Sequence, residues 1–90
     1  MITNPAIRLA SGLTLTLPPP ARHRTIINAG LVEGLLQLAD IFSANVTFGF
    51  LNDEGTFLTR EQAMQTAKDC GQLLSSANTS ATRLNTEMLW

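Results

Sequence analysis

The apolar and polar positions of this 90-residue chain fall into two alternations of period two, each followed by a stretch of helical spacing. In the first, Ile7, Leu9, Leu13, Leu15 and Leu17 alternate with Arg8, Thr14 and Thr16, and Ser11-Gly12 sits between as a two-residue turn. Alternation around a glycine turn predicts an antiparallel hairpin within residues 1–20, apolar on one face. Pro18 to Pro20 end its second strand, because proline has no N–H to give the ladder.

From Ala21 the period lengthens. Ile26 or Ile27, Leu31, Leu35, Leu38 and Phe42 recur with Asn28, Glu33, Gln37 and Asp40 between them, which predicts one long helix over 21–43. Pro20 suits its first position. Gly30 and Gly34 lie four apart on one face, and each costs about 1 kcal/mol relative to alanine in a helix interior. Two readings account for them: a close crossing over the sheet of the same chain, or a close crossing between subunits.

Alternation resumes with Val46, Phe48 and Phe50, turns through Asn52 to Gly55 and returns with Phe57 and Leu58. This predicts a hairpin over 46–58 with a left-handed glycine at its bulge. Thr59-Arg60-Glu61-Gln62 has the form of a capping box, so a helix is expected over 60–70. Ala63, Ala67 and Cys70 are its apolar stripe, and Gly71 is its terminator. The segment SSANTSAT carries no period and reads as a loop. RLNTEMLW then offers Leu84, Met88, Leu89 and Trp90 for docking on the body or on a neighbouring subunit. The expected fold is one α+β domain over 1–90, with antiparallel hairpins, one long and one shorter helix, and a loop and docking tail over 75–90.

Composition narrows the function. With 44% hydrophobic and only 14% charged residues, the chain is too apolar for disorder and short of polar surface for a monomer, so a homo-oligomer is expected. A net charge of −1 provides no field for a nucleic-acid polymer. Cys70 and His23 are the only residues of their kinds, which leaves no internal disulfide and no cysteine-based zinc site. The chain has no H-E-x-x-H, G-x-S-x-G, P-loop or G-x-G-x-x-G pattern. Asp53-Glu54 fall in a predicted turn, where acidic residues are common. No enzyme, metal or cofactor is therefore expected. The opening MITNPAIRLASG lacks a basic leader segment, and no apolar run reaches the roughly 18 to 20 residues of a membrane helix. The expectation is a cytoplasmic protein without a membrane partner.

Binding chemistry remains. Arg22, His23 and Arg24 stand at a predicted helix start, where unpaired amides and the dipole favour an anion. Cations there cost a few tenths of a kcal/mol each, and a bound phosphate reverses that sign. The other reading is a solvated pair of arginines beside a proline turn. Phe48 and Phe50 flank Gly49; the spacing reads Phe48 as core and Phe50, at the mouth of the turn, as a stacking platform worth about 1–3 kcal/mol to a base.

Taken together, AIRLASG, LTLPPPARHRTII, GFLNDEGTFLTREQAMQTAKDCGQ and RLNTEMLW resemble the Thoeris anti-defence protein one family. Its members are phage sponges that sequester cyclic nucleotide immune signals such as glycocyclic ADP-ribose, and some bind cyclic di- or trinucleotides. The resemblance implies dimers assembling into hexamers in the host cytoplasm, with ligands at subunit interfaces and no turnover. Carried over by position, Arg22, His23 and Arg24 face phosphates, Phe50 stacks on a base, Thr59 and Arg60 lie at the pocket rim, and Arg83 reaches across from a partner. Thr56 stands where an arginine is expected, Thr59 where Asp or Asn is usual, and NTEMLW replaces a more acidic ending. These departures bear on the ligand more than on the fold. Two other classes stay open: an inhibitor that binds a host defence protein, and a phosphodiesterase using His23 as general acid or base.

Overall fold

The computed structural model describes residues 1–37, 46–75, 77 and 80–90. Strands β1 (Ile2–Leu9), β2 (Thr14–Thr16), β3 (Val46–Asn52) and β4 (Phe57–Thr59) form an antiparallel sheet in the order β2-β1-β3-β4. Helix α1 (His23–Glu33) joins the two hairpins, helix α2 (Arg60–Asp69) follows β4, and a 3₁₀ turn at Thr86–Met88 lies in the tail. None of the described helices is long and apolar enough to cross a membrane.

Both hairpins arise where the alternation places them, but the first turns through three residues, Ala10 to Gly12, and not through the two-residue Ser11-Gly12 turn. The first closes with Leu9 N–H donating to the Leu13 carbonyl at 2.8 Å, with Gly12 at φ 92° in the turn. The second closes on Asn52, whose side-chain oxygen accepts from the Glu54 and Thr56 amides at 3.0 and 2.9 Å, and Gly55 takes φ 77°. Positive φ is open to glycine at little cost, hence glycine at both bends.

Register sorts the faces. Pro5 opposes Phe50, Ile7 opposes Phe48 and Leu15, and Leu58 opposes Phe50, so these apolar residues share one face. On that face a core of Ile2, Phe50, Ala63, Met64, Ala67, Leu84 and Met88 joins the sheet to α2 and the tail. The opposite face carries Arg8, whose guanidinium lies 4.5 Å from the centroid of the Phe57 ring. Phe57 explains Gly49: a Cβ there would stand 2.5 Å from the ring and 2.2 Å from the Leu58 carbonyl oxygen.

The helix expected over 21–43 is shorter among the described residues, and its 38–43 portion lies outside them. It starts at His23, two residues after Ala21, with Arg22 in extended conformation as its N-cap. It stops at Glu33 because Gly34 adopts φ 75°, and the Leu35 and Gly34 amides bond back to the Gly30 and Leu31 carbonyls. That is a Schellman termination, so Gly34 ends the helix and does not share a crossing face with Gly30. Gly30 is a close-approach position within the chain: a Cβ there would meet Leu36 and Leu15 at 3.1 and 3.2 Å.

Helix α2 follows the sequence closely. The Thr59 hydroxyl accepts from the Gln62 amide at 3.2 Å, and the Gln62 side chain accepts from the Thr59 amide at 3.0 Å. Gly71 at φ 66° ends it, as the Gln72 amide bonds back to Ala67. The stripe is Ala63, Met64 and Ala67; Cys70, expected on it, is exposed. Gln72 then pins the first strand, accepting from the Ile2 amide at 2.7 Å and donating to the Ile2 carbonyl at 2.9 Å. The tail docks on its own chain: Leu84 and Met88 are buried, and the Leu74 amide donates to the Met88 carbonyl at 2.8 Å.

Candidate functional site

The N-terminus of α1 opens onto a cleft of about 420 Å³, a size within the range of small-molecule sites. Three elements build it. Helix α1 contributes its N-cap Arg22 and first turn, β3 contributes Phe48, and Arg60 faces Asn85, Thr86 and Glu87 of the tail. A second cleft of about 290 Å³ shares Phe48 and Arg60 with the first and adds Thr59, Glu61 and Arg83. Six of the seven residues singled out from the sequence therefore line one or other of two adjoining clefts. Both clefts receive a helix N-terminus, that of α1 in one and that of α2 in the other.

Phe50 is the exception and is corrected. It is 0% exposed, enclosed by the core that joins the sheet to α2, so neither face of its ring is open to a ligand. Phe48, read as core from its spacing, is half-buried and lines both clefts. Period-two alternation assigned both phenylalanines to one face correctly; only the packing of α2 and the tail over Phe50 separates them.

The arginines differ in how they are held. Arg22 donates from Nη1 to the Thr86 hydroxyl at 3.0 Å and from Nη2 to the main-chain oxygen of Trp90 at 2.8 Å. The Glu87 carboxylate is 4.0 Å from the same guanidinium. Arg60 donates from Nε to the Leu84 carbonyl at 3.0 Å and from Nη2 to the Asn85 side chain. Arg83 pairs with Glu61 at 3.0 Å on the surface, a contact within one chain. At this exposure the pair contributes little to stability. The Glu61 carboxyl is held below its ordinary range, first by a main-chain hydrogen bond at the start of α2 and then by Arg83. Arg24 is exposed, and no described residue pairs with it.

His23 is a wall with one bond already spent. Its Nε2 lies 2.8 Å from the Gly49 carbonyl oxygen, and since a carbonyl only accepts, Nε2 carries the proton. The ring packs edge-on to Phe50, centroids 5.1 Å apart, and tilted against Phe48 at 5.5 Å. Burial pushes its pKa below the ordinary 6.5, the Gly49 bond opposes this, and neighbouring Arg60 lowers it further. Burial thus favours the neutral imidazole. It lines the first cleft beside Phe48, where the family resemblance has it facing phosphate.

The arrangement can bind an anion attached to a flat group. Three arginines and the unpaired amides of the first turn of α1 outnumber one carboxylate, Glu87, in the first cleft. No acidic residue stands in that first turn to occupy the amides. Sequence reasoning missed Asn85, Thr86 and Glu87 as site residues, because only tertiary packing brings the tail to α1. The model of one protein family, described as phage T4 y16D protein, matches residues 1–90. No curated protein and no solved structure gives a match.

Proposed function

The chain belongs to the phage T4 y16D protein family, and on that premise we propose that it is an anti-defence binding protein that sequesters a cyclic nucleotide signal without cleaving it. One observation carries the reading: Arg22, Arg24, Arg60 and the first turn of α1 converge on a cleft whose floor includes the half-buried ring of Phe48. Phosphate takes the rim and a base or sugar takes the floor. A stack supplies about 1–3 kcal/mol and three charge-assisted hydrogen bonds together about 4.5–9 kcal/mol, a total of the same order as the roughly 4–15 kcal/mol that association costs. The ligand class, glycocyclic ADP-ribose or a cyclic oligonucleotide, follows the resemblance of the sequence to the Thoeris anti-defence protein one family. So does assembly into an oligomer of dimers. His23, favoured in its neutral form and with Nε2 committed to Gly49, serves binding better than proton transfer. The test is to incubate the protein with each signal, remove free ligand, denature by heat and identify what is released. Intact ligand in stoichiometric amount supports sequestration; hydrolysed product, or none retained from any signal, overturns it.

A second reading has its own observation. The groove between β2 and α1, about 240 Å³ and lined in part by Leu15, Ile26 and Leu35, lies near exposed Leu13 and Val32. An apolar patch of this kind marks a protein contact. Recovery of one stoichiometric host protein from infected cells, with no nucleotide bound by the pure protein, favours that reading.

A further inference from the structure

The tail does more than cover the core. Leu84–Trp90 runs between the two arginine-bearing elements and bonds to both. The Leu84 amide donates to the Arg60 carbonyl at 3.1 Å while the Arg60 guanidinium returns to the Leu84 carbonyl and the Asn85 side chain. At the other end, the Trp90 indole donates to the Ala21 carbonyl at 3.0 Å, and Arg22 reaches Thr86 and Trp90. Leu84 at its start and Met88 further along anchor it in the core. The strap thus crosses the first cleft as one of its walls.

Thr86 stands out on it. It is only 4% exposed, the one buried polar residue among those described, and its hydroxyl accepts from Arg22. A long arginine side chain samples many rotamers, and the ordering of such a chain is part of the cost of any complex it makes. Here the cost is met before a ligand arrives. Thr86 and the Trp90 oxygen fix two N–H groups of the guanidinium, Glu87 stands 4.0 Å from it, and the side chain, 42% exposed, still lines the cleft.

We propose that Leu84–Trp90 is a built-in strap that completes the first cleft, and that Thr86 is the positioning residue that holds Arg22 ready for a phosphate. This rests on the first cleft being the phosphate site. Strap docking and phosphate binding are then linked: each steadies the other through Arg22. The strap carries its own reporter, since Trp90 is the only tryptophan of the chain.

The experiment titrates pyrophosphate into the full chain at low salt by calorimetry, for wild type, Thr86→Val and Thr86→Ser, and records Trp90 emission of each. Valine keeps the shape of threonine and loses the hydroxyl; serine keeps the hydroxyl. The expected result is up to about tenfold weaker binding for Thr86→Val, the cost of ordering one long side chain only when the ligand binds, with Thr86→Ser within about twofold of wild type. Trp90 emission of Thr86→Val should match wild type without ligand, placing the loss in aim and not in undocking. Equal affinity of Thr86→Val and wild type overturns the positioning role, as does equal weakening of both variants. If wild type binds no pyrophosphate, the cleft reading and the strap fall together. If it binds pyrophosphate but no nucleotide, the strap survives and the proposed function does not.

Discussion

Phe50→Ala separates a core residue from a ligand platform by a wide margin. The ring is 0% exposed and lies in the cluster of Ile2, Ala63, Met64, Ala67, Leu84 and Met88, with the His23 edge 5.1 Å away. Truncating a buried phenylalanine costs about 3–5 kcal/mol, the transfer of the ring plus the cavity left behind. A domain of this length has a total stability of about 5–13 kcal/mol, so much of it is at stake. With a urea m-value of about 2 kcal/mol/M, a loss of 4 kcal/mol lowers the unfolding midpoint by about 2 M. Urea denaturation followed by far-ultraviolet circular dichroism measures it. A midpoint shift under about 0.5 M, with ligand binding abolished, would refute the placement of Phe50 in the core and restore it as a stacking residue.

Other expectations follow from the same geometry. Phe48→Ala should lower stability by about 1–2 kcal/mol, since the ring is only half-buried, yet weaken nucleotide binding by about fivefold or more; urea melts and calorimetry on one preparation give both numbers. Gly49→Ala should destabilise by about 1–3 kcal/mol or more, because its Cβ would fall 2.2 Å from the Leu58 carbonyl oxygen, and an unchanged melting temperature contradicts this. Folding depresses the His23 pKa, so the unfolded chain takes up the proton first: stability is complete above about 6.5 and falls as pH drops from there toward the lower folded value. His23→Gln should flatten that part of the pH–stability curve, while leaving the carboxylate-driven loss at more acidic pH.

The sequence carried the local devices well. Glycine turns, the Thr59–Gln62 capping box and the Gly71 terminator are short-range chemistry, and each forms where the pattern places it. The end of α1 was hidden by a competition between signals. Leucines continue the helical period past Gly34, but a glycine in left-handed conformation bonds the last turn back on itself and stops the helix. The site was half legible for a related reason. Arg22, His23 and Arg24 are marked by their density at a helix start, and Thr59 and Arg60 by the cap. Which phenylalanine faces the cleft depends on what the tail and α2 cover, and that is a long-range outcome with no local signature. The same holds for Asn85, Thr86 and Glu87, which meet α1 only through packing more than fifty residues distant in sequence.

Arg24 gives the most direct measurement on the central claim, because it is an exposed arginine of the first cleft that no described residue engages. Calorimetry with cyclic ADP-ribose isomers and cyclic di- and trinucleotides, on wild type and Arg24→Ala, should show micromolar or tighter binding of at least one signal by wild type and a loss of tenfold or more in the variant. The variant should be as stable as wild type or a few tenths of a kcal/mol more so, since a cation leaves the positive end of α1. No binding of any of these signals by wild type, or equal binding by Arg24→Ala, contradicts the account.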